Sequence, residues 1–381
     1  MTGHPILLSL PMNELSEDQA RAFDAIKAWL ASGRKEFTLG GYAGTGKTTT
    51  IRTILQTIRK SAVLALTGKA CRVLISKGIP AQTIHSAIYN FHAEDEKGDP
   101  IFRGKGGKVF TDDAVIVVDE ASMVNVEIAE ELRFHASRIL WVGDHGQLEP
   151  IGDDPGIMKS PDATLEKIHR QAESSPIIRL AHLVREGATF REAKRSLSSA
   201  GLTEGIAFRG NESPDGLAEA ALCEEYDQVI VGFNAFRNRC NEAFRVMLKK
   251  EDIVEVGDRL ICLRNYRKIV ALNGMIFKVL DAQEHARPDT ARLTLEPEDG
   301  GRSIQSNAYL PCFGRGPSTD DPVGSVYFDY GYAITCHKSQ GSEWDSVVVK
   351  DSPCDGWDMN RWRYTAVTRA RSRLMIYEGG R

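Results

Sequence analysis

The stretch Glu36-Phe37-Thr38-Leu39-Gly40-Gly41-Tyr42-Ala43-Gly44-Thr45-Gly46-Lys47-Thr48-Thr49-Thr50 decides the fold. Gly41 to Thr48 fit G-x-x-x-x-G-K-[ST], the pattern of a phosphate-binding loop. Glu36 to Leu39 form a short strand-like run before it. Ile51, Ile54, Leu55 and Ile58 give helical spacing across Thr48 to Arg59 after it. Glycines let the backbone wrap phosphate oxygens so that several N–H groups point inward, and the helix that follows adds the positive end of its dipole. Lys47 then neutralises charge on the β- and γ-phosphates, and the Thr48 hydroxyl ligates Mg2+. Gly41, Ala43, Gly44, Thr45, Gly46, Lys47, Thr48 and Thr49 are the expected contacts to ATP. A glycine-rich turn with an incidental lysine does not account for the whole pattern between a strand and a helix.

Working outward, further apolar runs read as buried parallel strands: Ala62 to Leu66, Ala114 to Val118, Ile139 to Val142, Gln228 to Val231, Ser346 to Val349 and Leu374 to Tyr377. Helical stretches separate most of them, which predicts α/β architecture with more strands than one nucleotide-binding sheet needs. The second run ends in Asp119-Glu120-Ala121-Ser122. An acidic pair after a strand is commonly a solvated turn, but at the carboxyl end of a parallel strand beside a phosphate loop it lies near Mg-nucleotide. Asp119 is then the metal-directed carboxylate and Glu120 the group that polarises the attacking water. The third run leads to Gly143-Asp144-His145-Gly146-Gln147, where the Gln147 amide can both donate and accept at the γ-phosphate or the water.

The chain has 381 residues, 42% hydrophobic and 26% charged, so it is expected to be globular with two or more domains. No run approaches a membrane span, and a soluble cytoplasmic protein is expected. Seven cysteines without a C-x-x-C pair argue against structural zinc and a disulfide framework. A net charge of −4 gives no global support for nucleic-acid binding, so local distribution must carry that argument. The basic-aromatic clusters at Arg264 to Lys268 and Arg361 to Arg373 stay, on their own, solvated faces.

Between Ile253 and Tyr327 the texture changes to short alternating segments, including Arg259 to Leu263, Met275 to Leu280 and Ala291 to Leu295. That predicts a small antiparallel β module inserted between α/β strands. A second excursion, Ala93 to Asp113, is rich in Gly, Lys and Asp. A loop is slightly favoured there over a hairpin, with Ile101-Phe102 and Val109-Phe110 as candidate strands.

In order, these motifs resemble a superfamily 1 helicase, and in wording the RecD/Dda type, class B. Leu15-Ser16-Glu17-Asp18-Gln19 resembles the family's glutamine motif, which implies that Gln19 bonds adenine. Leu66-Thr67-Gly68-Lys69-Ala70 and Thr83-Ile84-His85-Ser86 resemble single-strand contact segments. His169-Arg170-Gln171 resembles the segment whose arginine reaches the γ-phosphate. Val231-Gly232-Phe233-Asn234 with Arg237 and Asn241 resembles the strand and helix of motif IV, and Gly257-Asp258-Arg259 with Asn273-Gly274 resemble turns of an SH3-like module. Thr335-Cys336-His337-Lys338-Ser339-Gln340-Gly341-Ser342-Glu343 resembles motif V. Tyr364-Thr365-Ala366-Val367-Thr368-Arg369-Ala370-Arg371 resembles motif VI. The resemblance runs from Leu15 to Tyr377.

That resemblance implies two RecA-like parallel-sheet domains: 1A over 1–92 and 114–172, and 2A over 173–252 and 328–381. It adds a hairpin or pin, 1B, at 93–113 and the SH3-like module, 2B, at 253–327. It implies Arg170 and Arg369 as catalytic arginines beside Lys47, Glu120 and Gln147, with Gly341 and Glu343 as further nucleotide contacts. Arg371 stays open. Thr67, Lys69, Thr83, His85, Thr335 and His337 become the DNA contacts, and Phe102, Arg103, Lys105 and Phe110 the candidates for a strand-separating pin. The implied activity is ATP-dependent 5′ to 3′ translocation on single-stranded DNA with unwinding at a single-strand/duplex junction, by a monomer. Single-strand-binding protein or replisome components are the implied protein partners, in a bacterial or phage-infected cell. A translocase that remodels protein-DNA complexes without efficient unwinding shares every motif except the pin. A nucleotide-dependent switch would not need the full catalytic set. The short chain suggests a minimal, stand-alone helicase.

Overall fold

The computed structural model describes residues 15–94, 100–167, 175–264, 266, 271, 273–285, 289–298, 300, 302–316 and 326–379. Two compact units divide the chain: Met1–Leu66, Ala70–Asn90 and Gly104–Ile178 form one, and Thr67–Lys69, Phe91–Arg103 and Arg179–Arg381 the other.

In the first unit the elements are α1 (Glu17–Ser32), β1 (Glu36–Gly41), α2 (Lys47–Leu55), β2 (Ser61–Ala65), α3 (Gly68–Ser76), β3 (Gln82–Thr83) and α4 (Ile84–Ile88). β4 (Tyr89–Glu94) and β5 (Pro100–Gly104) follow, most of their residues falling in the second unit, and the first unit resumes with β6 (Val115–Asp119), α5 (Val126–His135), β7 (Arg138–Gly143) and β8 (Ala163–Leu165). Six strands make a sheet in the order β3-β2-β6-β7-β1-β8, parallel throughout. Alternate residues of its strands face opposite ways. Leu39, Val63, Val115, Val117, Leu140 and Val142 enter one apolar core, and Leu64, Ile116, Val118, Ile139 and Trp141 the other. A sheet covered on both faces needs near-continuous apolar strands, which is why Val115 to Val118 stand out in the sequence. Each such side chain contributes about 1.5–3 kcal/mol on burial.

Helix α1 begins with a capping box: the Ser16 hydroxyl accepts from the Gln19 N–H, and the Gln19 side chain returns to the Ser16 N–H. It ends at Gly33 in the left-handed region.

β4 and β5 pair as a two-stranded sheet, so the excursion expected to be a loop contains strand structure, and that structure starts at Tyr89 rather than at 93. Val109-Phe110 is not a strand.

The second unit contains α6 (Pro176–Arg185), α7 (Phe190–Ser199), β9 (Ile206–Arg209), α8 (Pro214–Cys223), β10 (Gln228–Val231) and α9 (Asn234–Met247). Then follow β11 (Arg259–Cys262), β12 (Ile276–Glu284), β13 (Thr290–Pro297), β14 (Ile304–Tyr309) and β15 (Phe328–Tyr330). The chain closes with β16 (Ala333–Thr335), α10 (Cys336–Ser339), β17 (Trp344–Lys350), α11 (Met359–Val367) and β18 (Ala370–Tyr377). A parallel five-stranded sheet runs β16-β10-β17-β18-β9. A separate antiparallel sheet runs β14-β13-β12-β11-β15. Its strands alternate, and one face carries Leu260, Phe277, Val279, Leu293, Leu295 and Phe328 into a core of its own. Two ion pairs tie this sheet region to α9: Arg237 to Asp329 at 2.8 Å, and Arg245 to the wholly buried Asp258.

Candidate active site

Sheet order sets the chemistry of the first unit. β6, β7 and β1 are neighbours, so the segments leaving their carboxyl ends converge: the acidic pair after β6, Asp144 to Gln147 after β7, and the glycine-rich loop after β1. In open parallel sheets this edge takes the ligand.

The loop has the backbone that close phosphate approach requires. Gly44 and Gly46 adopt φ +79° and +80°, a left-handed conformation that L side chains rarely adopt. Gly46 is the N-cap of α2, so the first-turn N–H groups of α2 face the loop. Thr45 is fully buried, and its hydroxyl donates to Tyr42 O at 2.8 Å, closing the loop on itself. Lys47 Nζ lies inside, donating to Gly41 O at 2.8 Å and Tyr42 O at 3.1 Å. Thr48 and Thr49 occupy the first turn of α2, both half-buried. The structure therefore gathers the loop residues as the motif predicts.

Gln19, the expected adenine contact, lies beside the phosphate loop. Its side chain is fully buried; Oε1 accepts from Ser16 N at 3.0 Å, while Nε2 donates to Thr45 O at 3.4 Å and Gly46 O at 3.5 Å. The capping box turns the amide inward, so in this structure Gln19 braces the phosphate loop.

Glu120 is one of the few non-glycine residues with positive φ, at +53°. That backbone costs energy and is retained mostly at functional positions. Burial raises the pKa of Asp119, opposed by the Glu120 backbone N–H and by the positive charges of Lys47 and Lys77. A carboxylate in such surroundings is stabilised by a nearby cation.

Among the described residues, no group of three or more His, Cys, Asp or Glu side chains could hold a metal by itself. Thr48 and Asp119 are instead two hard oxygen donors of the kind that share Mg2+ with substrate phosphates. The Ser122 hydroxyl, two residues beyond Glu120, is buried with no hydrogen-bond partner among the described residues, as suits a site that also holds polar ligand atoms. The donor set fits the ion.

Gln147 is buried, and its Nε2 donates to Asp144 Oδ2 at 3.4 Å. Asp144 is the residue that sequence reasoning passed over. It is wholly buried, accepts from Gly146 N at 2.9 Å and lies 3.9 Å from Lys47 Nζ. His145 was missed as well; its ring meets Tyr42 of the loop at 4.2 Å between centroids. An acidic residue in a polar turn carries no local signal of such a role, which comes only from the β7–β1 pairing.

The remaining expected residues are spread more widely. Thr83 caps α4, its hydroxyl accepting from Ser86 N at 3.1 Å, and His85 lies in the same short helix. Thr67 and Lys69 flank the start of α3 and are half-buried. In the second unit Thr335 is the N-cap residue of α10, which carries His337. Gly341 follows α10 with φ +69°, and Glu343 forms an exposed ion pair with Arg371 at 3.2 Å. Arg369 is buried and donates within its own unit, to Thr365 O at 3.0 Å, Ser342 O at 3.1 Å and Thr368 Oγ1 at 3.0 Å. Arg170 lies outside the described residues, as do the side chains of Phe102 and Arg103.

Two of the pin candidates make contacts within the first unit. Lys105 Nζ donates to Ala87 O at 2.7 Å and Ser86 O at 3.4 Å, satisfying carbonyls at the end of α4. Phe110 packs against the apolar core containing Trp141.

Residues 14–205 match the AAA domain family, and residues 330–377 match the UvrD-like helicase C-terminal domain. The ATP-dependent RecD2 DNA helicase of Deinococcus radiodurans is 28% identical across 94% of this chain and 48% of its own length. The ATP-dependent DNA helicase Dda of Enterobacteria phage T4 is 26% identical across 47% of this chain and 44% of its own length. The chain thus spans about half the length of these relatives. A crystal structure of Bacteroides Pif1 bound to ssDNA has the same fold, with a TM-score of 0.56 at 19% identity over 95% of this chain and 92% of that one. Described helices include none long and apolar enough to cross a membrane. With a phosphate loop, acidic pair and Gln147 at one sheet edge and a family match over half its length, the chain belongs to the AAA domain family, as a RecD/Dda-like member of superfamily 1B.

Proposed function

We propose that this chain is an ATP-dependent DNA helicase that moves 5′ to 3′ along single-stranded DNA. The observation that carries the reading is the convergence of Lys47, Glu120, Asp144 and Gln147 at the carboxyl edge of β1, β6 and β7. RecD2 and Dda, both named as ATP-dependent DNA helicases, and a Pif1 solved with ssDNA support the choice of substrate.

In this reading the loop N–H groups and the α2 N-terminus bind the β- and γ-phosphates of ATP, and Lys47 offsets their charge. Thr48 and Asp119 would hold Mg2+, which neutralises charge developing on the phosphates. Glu120 orients and polarises the attacking water, and Gln147, fixed by Asp144, reports the state of the γ-phosphate. Arg170 and Arg369 are assigned to phosphate contact. For Arg369 that role requires exchanging hydrogen bonds to Thr365, Ser342 and Thr368. Thr67, Lys69, Thr83, His85, Thr335 and His337 are assigned to the strand. The domain division 1A, 1B, 2A, 2B belongs to the same proposal, with the antiparallel sheet of β11 to β15 as the SH3-like 2B and β4–β5 within 1B.

A second reading is a translocase that displaces proteins from DNA without efficient unwinding. The contacts of Lys105 with Ser86 and Ala87 and of Phe110 with the apolar core support it, because this reading needs no pin. Strand-separation assays on a forked duplex, alongside ATPase with and without single-stranded DNA, decide between the two. DNA-stimulated ATPase without strand separation selects the translocase, and ATPase indifferent to DNA rejects both.

A further inference from the structure

Three aromatic rings gather at one edge of the second unit. Phe233 follows β10, His337 follows β16 and Trp357 lies beyond β17, and these strands are adjacent in the order β16-β10-β17. The Phe233 and Trp357 rings lie 5.0 Å apart between centroids with planes inclined by 30°, and the His337 ring meets Trp357 edge-on at 6.3 Å. Phe233 is nevertheless 41% exposed. Core packing does not account for a phenylalanine that stays so open.

Its backbone position makes the choice of residue more telling. Phe233 is the N-cap of α9, with φ −113° and ψ 143°, and supplies no side-chain cap bond. That position favours Ser, Thr, Asp or Asn, whose oxygen would accept from the first turn. The preceding residue also serves the rings: a Cβ on Gly232 would fall 2.6 Å from Ser352 Cβ and 3.5 Å from the Trp357 ring. Glycine there lets the end of β10 sit directly against the segment that carries Trp357.

The neighbouring charges do not make this an anion site. Arg361 pairs with Asp358 at 3.4 Å, and Arg363 with Asp351 at 2.9 Å. Burial pushes the His337 imidazole below its ordinary pKa of 6.5, favouring the uncharged ring. What the cluster offers is an aromatic face, and a flat π-surface without sequence preference is how unpaired bases are held.

We infer that Phe233, backed by Trp357 and His337, is a stacking platform for an unpaired nucleobase of the bound strand. The inference deepens the helicase reading and rests on it.

The test compares fluorescence anisotropy of the full chain on a labelled oligo-dT and on an abasic oligonucleotide of equal length, which carries the same phosphates. The wild type should prefer oligo-dT. Phe233→Ala should weaken oligo-dT binding about tenfold while leaving abasic binding and the salt dependence in place. Phe233→Trp should restore the preference. An unchanged oligo-dT affinity, or an equal loss on both oligonucleotides, overturns the platform alone if the wild type still unwinds DNA. A loss confined to a fluorescent ATP analogue assigns the rings to adenine and also overturns it. Failure of the wild type to bind either oligonucleotide removes the helicase reading and the platform together.

Discussion

The ammonium of Lys47 lies 3.9 Å from the carboxylate of Asp144, a wholly buried side chain that also binds Gly146 and Gln147. One acidic residue thus links the lysine assigned to bind phosphate to the glutamine assigned to sense it.

Asp144→Asn keeps the shape and removes the charge. Hydrogen bonds to charged groups contribute about 1.5–3 kcal/mol, so ATP turnover should fall on the order of tenfold. Steady-state ATPase measures it, and turnover within twofold of wild type would contradict the linkage.

Glu120→Gln retains size but cannot accept a proton. A positioned general base contributes about 10²–10⁴-fold, so kcat should fall by that order while binding of a fluorescent ATP analogue persists. Loss of nucleotide binding with unchanged single-turnover hydrolysis would contradict the assignment.

Gly46 holds φ +80° where α2 begins, and alanine there meets a left-handed penalty of roughly 1–2 kcal/mol. Gly46→Ala should lower stability by about that amount in urea unfolding and weaken nucleotide binding, because the first N–H groups of α2 tilt away. Unchanged nucleotide affinity would speak against the loop geometry described above.

Asp18 anchors the start of α1 to the segment after β8. Burial pushes its carboxyl up, but bonds from the Ser16 hydroxyl and the backbone N–H groups of Lys167, Gln19 and Glu166 outweigh it and hold the pKa below its ordinary 3.8. A lowered folded-state pKa means that its stabilisation is complete above the unfolded value and is lost as pH falls through the folded value. Thermal melts from pH 6 to pH 2 should show an acid loss that is shallower in Asp18→Asn. An identical pH profile would remove Asp18 from the acid response.

The central strands were legible in the sequence because β2, β6 and β7 are apolar on both faces, and Val115 to Val118 can hardly be anything else. Shorter edge strands were not: β3 is only Gln82-Thr83, and β8, Ala163 to Leu165, lies among polar residues. The helix expected through Arg59 stops at Leu55, since Ile58 packs against the core from beyond the helix end. In the candidate site, the loop stands out by its glycine spacing and the acidic pair by its place directly after an apolar strand. Asp144 does not, because its role depends on which strand lies beside β1. The contact of Phe110 with the core was not legible either, because it depends on which apolar residues lie beneath a polar stretch.

The central claim is that ATP held by Lys47 drives movement on DNA. Unwinding of duplexes with a 5′ or a 3′ single-stranded tail, by the wild type and by Lys47→Ala, tests it most directly. The account predicts ATP-dependent opening of the 5′-tailed duplex by the wild type and none by Lys47→Ala. Equal unwinding by both proteins would contradict the mechanism, and activity confined to the 3′-tailed duplex would contradict the direction.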